Sequence, residues 1–453
     1  MMQQQILLKD ATIINEGSMR IGHLLLANGL IEHIWMDEET IPEAIMRNAR
    51  IYELKGHWVF PGVIDDQVHF REPGLEYKGD IMSESMAAVA GGITSFMEMP
   101  NTIPQTTTQE QLEKKFLAAE AKSLANYSFY IGATNENIDQ LKATDRNHVC
   151  GIKVFMGSST GNMLVDQVDV LREIFKIKKI PVATHCEDET TVKTNLGFAK
   201  KQFGEHIPFD RHPVIRSHEA CEKSTRLAIS LAEQYQTRLH LLHLSTANEI
   251  RLLDNSSALR DKLITAEVCV HHLWFSDRDY ENKGGFIKWN PAIKSEADRN
   301  ALLKGLLNGY LDVVATDHAP HSLEEKKRTY LECPSGGPMV QHALLTMLEL
   351  THKGVMPPEK IAEVMCHNPA ICFQINKRGF IRKGYAADIV VVAPDTPYKV
   401  TTDNILYKCR WSPLIDYEFK SSIVYTFVNG YPVYEQGQIH DTIKSQALVF
   451  SRP

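Results

Sequence analysis

The sequence predicts an α/β fold: a (β/α)8 TIM barrel with a small β-sandwich domain built from both chain termini. Two observations carry this expectation. Between Trp58 and Pro320, eight short apolar runs rich in β-branched residues alternate with stretches of helical periodicity, the pattern of βα units around a parallel sheet. On either side the texture changes to short strands separated by tight-turn signals, and 453 residues leave room for a barrel of ~250 residues or more plus one small domain.

Residues 6 to 55 carry turn signals at Asn15-Glu16-Gly17 and Ala27-Asn28-Gly29. Barrel strands are expected at 58 to 67, 93 to 99, 126 to 133, 150 to 156, 180 to 187, 238 to 245, 263 to 275 and 313 to 317. Helices are expected between them at Gln109 to Leu124, Asp169 to Lys178, His218 to Tyr235 and Glu296 to Leu307, with another from Pro338 to Leu350. Residues 379 to 446 return to strands and turns, with Asp388-Ile389-Val390-Val391-Val392 and Val424 to Gly430. The expected division is therefore 1–56 with 379–453 as the composite β domain, and 57–378 as the barrel.

A net charge of −7 with no long Lys/Arg block gives no electrostatic footprint for nucleic acid or anionic lipid. The start lacks a basic region followed by an apolar core, and no stretch reaches about 18 consecutive apolar residues, so neither export nor membrane insertion is expected. Eight scattered cysteines without a C-x-x-C pair fit a reduced, cytoplasmic chain.

Polar side chains collect at the carboxyl ends of the expected strands. Gln67-Val68-His69-Phe70-Arg71 ends the first, Lys153 lies in the fourth, Thr184-His185-Cys186-Glu187 ends the fifth, Leu242-His243-Leu244-Ser245 the sixth and Thr316-Asp317-His318-Ala319-Pro320-His321 the eighth. A barrel gathers these ends on one rim. Imidazoles and carboxylates on one rim suit a zinc hydrolase, because the ion brings the pKa of bound water to about 7. Taken singly, His243 reads as a hydrogen-bonded core residue, and Lys153 on an apolar strand as one half of an ion pair.

Taken together, these residues resemble the amidohydrolase superfamily and, within it, the dihydroorotases. The resemblance runs from the N-terminal β segment through Pro61-Gly62-Val63-Ile64-Asp65 to Gly384-x-x-Ala387-Asp388. It is carried most specifically by the eighth-strand motif Thr-Asp-x-Ala-Pro-His-x4-Lys, present from Ala315 to Lys326, with Met99-Pro100-Asn101-Thr102, the Lys153 strand and Trp289-Asn290-Pro291-Ala292.

The resemblance implies a zinc-dependent interconversion of L-dihydroorotate and N-carbamoyl-L-aspartate, in pyrimidine biosynthesis, by metal-bound hydroxide. Lys153 would be carbamylated and bridge two ions, with His185 and His243 completing one site and His69 and Asp317 the other. Asp317 would also be the general acid/base. Arg71, Asn101 and His321 would hold the substrate carboxylate, and Asn290 the ring. A homodimer is implied, and association with aspartate transcarbamoylase is a further expectation.

Two alternatives stay open: an allantoinase or hydantoinase on the same scaffold, whose substrates carry no ring carboxylate, and a catalytically silent structural partner of aspartate transcarbamoylase. The second arises because the family's His-x-His on the first strand is here Gln67-Val68-His69. A glutamine carbonyl is a weak oxygen donor for zinc, so one or two ions per chain are expected, the second bound more weakly.

Strand alternation predicts that Asp66 faces away from Gln67 and the metals. His271-His272, on the seventh strand, is expected to pack rather than ligate, and His367 to be structural. Glu324-Glu325-Lys326-Lys327-Arg328 reads as a solvated loop able to cover the site, and Gly336-Gly337-Pro338 as a turn into a helix whose amide could meet substrate.

Overall fold

A computed structural model describes residues 5–37, 39–157, 163–442 and 444–452. Eight parallel strands form the barrel in sequence order: Val63–Val68, Ile93–Glu98, Asn126–Gly132, Gly151–Phe155, Val182–His185, Leu239–Leu241, Ile264–Cys269 and Val313–Ala315. Each is buried on both faces apart from Ile264, as a parallel sheet under helices requires. The eighth and first strands meet through the Val68–His318 bridge, where the His69 amide donates to the His318 carbonyl at 2.7 Å.

Two expected strands need correction. The run 58 to 67 is two elements, since Trp58–Pro61 belongs to the terminal sheet and only Val63–Val68 to the barrel. Gly62 sits between them against the second strand, where a Cβ would fall 2.0 Å from Thr94 Oγ1. The seventh strand stops at Cys269, and Val270–Trp274 is a short helix, so His271 and His272 sit on a helical turn beyond the strand.

The helices Gln109–Lys122, His218–Tyr235 and Glu296–Leu307 open on Thr108, Ser217 and Ser295, whose side chains accept from the third helical amide. The expected 169 to 178 helix is Val168–Phe175, and the one after the eighth strand starts later, at Ala343. No helix among the described residues is long and apolar enough to cross a membrane. All eight cysteines are buried and unpaired.

The chain ends build one nine-stranded sheet. Ile6–Asn15 pairs with Ser18–Ala27 and with Trp58–Pro61, and Ile389–Ala393 joins Trp58–Pro61 to Ser422–Val428. Ile389 to Val392 are wholly buried, with Val390 and Val392 in the barrel's core cluster and Ile389 and Val391 in the sheet's own. The segment after Gln446 runs back under the barrel, with Leu448 donating to Tyr127 and Arg452 to the carbonyls of Val149 and Cys150.

A buried polar knot joins sheet to barrel. Asp388 pairs with Arg378, accepts the Asn429 amide at 2.8 Å and takes the Asn126 side-chain amide from the third barrel strand at 3.2 Å. Removing one partner of a buried pair costs about 3–5 kcal/mol, because the other charge is left uncompensated. Asp388→Ala is therefore expected to lower the unfolding free energy by an amount in that range, read from denaturant titration; a midpoint and slope equal to those of the wild type would show that the knot adds nothing to stability.

Candidate active site

All ten expected site residues line one cavity of about 200 Å³ at the carboxyl end of the barrel: Gln67, His69, Arg71, Asn101, Lys153, His185, His243, Asn290, Asp317 and His321. Three of them, Arg71 (φ 74°), His243 (φ 38°) and Asp317 (φ 42°), have left-handed backbone. Such conformations cost about 1–3 kcal/mol each and persist where the surrounding structure fixes them.

Along one wall, imidazole nitrogens face one another. His185 Nδ1 lies 3.1 Å from His243 Nε2, with the rings near perpendicular. The far nitrogen of His185 meets Glu187 at 3.0 Å, and Glu187 is itself paired with Arg216. A carboxylate behind an imidazole orients it and fixes its tautomer, which leaves Nδ1 as a lone-pair donor. His69 repeats the arrangement: its Nδ1 meets Asn101 Oδ1 at 2.7 Å, and Nε2 is turned to Asp317 Oδ1 at 3.1 Å. Burial holds His69, His185 and His243 below the ordinary imidazole range, in the neutral form that binds metal.

Lys153 is buried in the fourth strand, its Nζ over the Phe155 ring. Burial lowers it to about 8, against the pull of Asp317 and Glu267. Only the neutral amine attacks CO2, so this environment favours carbamylation. The donor set, neutral imidazoles with oriented lone pairs, a carboxylate and a depressed lysine, fits divalent metal.

Gln67 sits differently from its expected part. Its amide nitrogen lies 3.3 Å from Asp317 Oδ1, while its oxygen is turned toward Cys269 Sγ at 3.9 Å. It steadies the carboxylate rather than presenting an oxygen beside it. Strict alternation also fails here: Asp66 meets His240 of the sixth strand at 3.0 Å, so it too points into the barrel. The pairing is irregular between Asp65 and Val68, which lets neighbouring side chains share the interior.

The opposite wall is cationic. Arg71 Nε donates to the Pro320 carbonyl at 3.0 Å. His321 takes Lys78 Nζ on Nδ1 at 2.9 Å and donates from Nε2 to the Ser335 carbonyl at 3.0 Å. Nε2 therefore offers no acceptor to Arg71 Nη2, which lies 3.1 Å away. Burial, reinforced by Arg71, Lys326 and Lys78, pushes His321 well below the usual range and keeps it neutral. Among the described residues Arg71 forms no ion pair, whereas Lys78 is neutralised by Glu325 at 3.0 Å.

Several neighbours were not assigned from sequence. Lys326, read as solvated, is buried and donates to the Pro334 and Gly336 carbonyls at 2.8 and 2.6 Å, so it braces the turn that lines the cavity. The Gly336 amide is spent on the Lys288 carbonyl at 2.7 Å and does not face the cavity. The Trp289 indole donates to the Asp317 carbonyl at 3.3 Å, and His271 stacks on Trp289 with centroids 4.2 Å apart. His367 is structural, bridging the Gly379 carbonyl and the Glu16 amide. Glu187 stands in the sequence two residues after His185, and that spacing was the available signal for it.

If Lys153 is the anion shared by two ions, Lys153→Ala is expected to lose most bound metal, and short carboxylic acids to restore part of it. Metal analysis after dialysis checks this; normal zinc content would make Lys153 an ordinary buried lysine.

Residues 58–433 match the model of the amidohydrolase family. A dihydroorotase of Methanosarcina acetivorans is 32% identical over 417 residues, covering 90% of this chain and 87% of the relative. An allantoinase of Deinococcus radiodurans is 29% identical over 457 residues, covering 99% of both chains. An L-hydantoinase (dihydropyrimidinase) structure from Arthrobacter aurescens superposes with a TM-score of 0.92 at 23% identity, over 99% of this chain and 100% of the other, and at that identity it bears on the fold alone. With the family model spanning most of the chain, this protein belongs to the amidohydrolase family.

Proposed function

We propose that this amidohydrolase is a zinc-dependent dihydroorotase, which interconverts L-dihydroorotate and N-carbamoyl-L-aspartate in pyrimidine biosynthesis. The observation that carries the reading is the buried Arg71, a cation in the cavity wall without a carboxylate partner among the described residues. A buried unpaired charge is costly, and a substrate carboxylate is the counter-charge it lacks. A guanidinium also presents two parallel N–H groups to a carboxylate, which an ammonium cannot do.

Carbamylated Lys153 with His185 and His243 would hold one ion, and His69 with Asp317 the other, where bound metal would activate water and polarise the amide carbonyl. Asp317 would move the proton between water and the departing ring nitrogen. Gln67 holds its carboxylate and Trp289 its backbone, so it is held in place before substrate arrives. Arg71, with the Asn101 amide beside it, would clamp the ring carboxylate, and His321, its ring nitrogens engaged by Lys78 and Ser335, would hold the wall behind them. Asn290 Oδ1 is buried with no donor among the described residues, and a ring N–H would supply one.

Allantoin and hydantoin would leave Arg71 unpaired, which weighs against those substrates. The silent-partner reading predicts a dismantled donor set, whereas His69, Lys153, His185, His243 and Asp317 all face one cavity.

Arg71→Met is expected to raise KM for dihydroorotate roughly 10- to 150-fold, equivalent to about 1.5–3 kcal/mol of charge-assisted hydrogen bonding. Arg71→Lys should do less damage. Steady-state kinetics decides: an unchanged KM in Arg71→Met would move the assignment to rings without a carboxylate. In the same assay Asp317→Asn is expected to lose ~10²- to 10⁴-fold in turnover, and retention of more than about a tenth of the activity would remove Asp317 from the proton-transfer role.

A further inference from the structure

Below the cavity, inside the barrel, a second set of ligand types converges. Asp66 on the first strand, His240 on the sixth and Glu267 on the seventh are buried, and one donor atom from each lies within 4.8 Å of the other two. His240 Nε2 is 3.0 Å from Asp66 Oδ2 and 3.6 Å from Glu267 Oε2. Neither approach makes a hydrogen bond. Both Asp66 carboxylate oxygens, Glu267 Oε2 and His240 Nε2 have no hydrogen-bond partner among the described residues.

The proton count sharpens this. Thr265 Oγ1 donates to the Leu239 carbonyl at 3.3 Å, so toward His240 Nδ1, 2.8 Å away, the hydroxyl acts as acceptor. Nδ1 therefore carries a ring proton, and Nε2 is turned toward two carboxylates. Two carboxylates face one imidazole nitrogen in a buried place, a surplus of negative charge that a single ring proton does not balance. A divalent cation supplies the missing charge and bonds. Its ligand atoms, at about 2.0–2.2 Å from zinc, would stand about 3.3–3.6 Å apart on a tetrahedron, close to the spacing of His240 from its two neighbours. An imidazole with two carboxylates suits a zinc-like ion better than calcium or magnesium.

We propose that Asp66, His240 and Glu267 form a buried site for a zinc-type divalent cation, separate from the ions of the cavity above. The ion ties the first, sixth and seventh strands together across the barrel axis. It also reaches the cavity, because Glu267 Oε1 accepts the backbone N–H of His243 at 2.8 Å and so helps hold that residue's left-handed backbone.

The test is a crystal structure of the full chain grown with zinc, with anomalous data collected at the zinc edge. A peak is expected at about 2.0–2.2 Å from Asp66, His240 and Glu267, apart from any peak in the cavity. Asp66→Asn, nearly isosteric, should lose that peak and one equivalent of zinc per chain while keeping the cavity ions. No peak in the wild type would overturn the proposal and leave a proton as the neutralising charge. Equal zinc content in Asp66→Asn and wild type would overturn it too. If Asp66→Asn does not fold, the wild-type map decides alone. The cavity peaks are read separately, so failure here leaves the dihydroorotase assignment standing.

Discussion

Closing eight parallel strands into a barrel buries their inward side chains and places the active site at the mouth formed by the carboxyl ends. Any charge placed on those strands must find its partner across the axis, in a ligand, or at that mouth. This constraint accounts for the spacing of the chemistry in this chain. Off the barrel strands, Glu187 meets Arg216, Lys78 meets Glu325, and Asp388 meets Arg378, so these charges are neutralised within the protein. Among the described residues Arg71 and Lys153 are buried without such a partner, and both face the same cavity.

The two walls of the cavity therefore ask for different things. The wall of His69, His185, His243 and Asp317 offers lone pairs and an anion, which call for cations. The wall of Arg71 offers a cation, with Lys78 and Lys326 close behind, and calls for an anion. His321 is held neutral between them and serves as a spacer with fixed donor and acceptor sides. A small ring with an amide at one end and a carboxylate at the other matches both demands at once, which is why substrate class can be argued from charge placement.

Much of this was legible in the sequence, because a parallel barrel turns distant strand ends into neighbours. The ten site positions came from that rule, from the eighth-strand motif and, for Asn101 and Asn290, from the family elements Met99 to Thr102 and Trp289 to Ala292, and they share one cavity. What escaped had local causes. Trp58 to Val68 reads as one apolar run, and the break at Gly62 follows from its contact with Thr94 on another strand. Val270 to Trp274 has β-prone composition yet turns helical where the seventh strand leaves the sheet. Asp66 was sent outward by alternation, but the irregular pairing after Asp65 brings it inside. Lys326 was read as solvated because its acceptors, the carbonyls of Pro334 and Gly336, come from a turn whose approach the sequence does not announce.

The central claim is that Arg71 makes this amidohydrolase selective for a cyclic amide that bears a carboxylate. The most direct measurement compares kcat/KM of the wild-type enzyme, loaded with zinc, on dihydroorotate and on dihydrouracil, the same ring without the carboxylate. The account predicts turnover of dihydroorotate and a preference of at least about 10-fold, the lower bound set by one charge-assisted contact. Equal or faster turnover of dihydrouracil would contradict it.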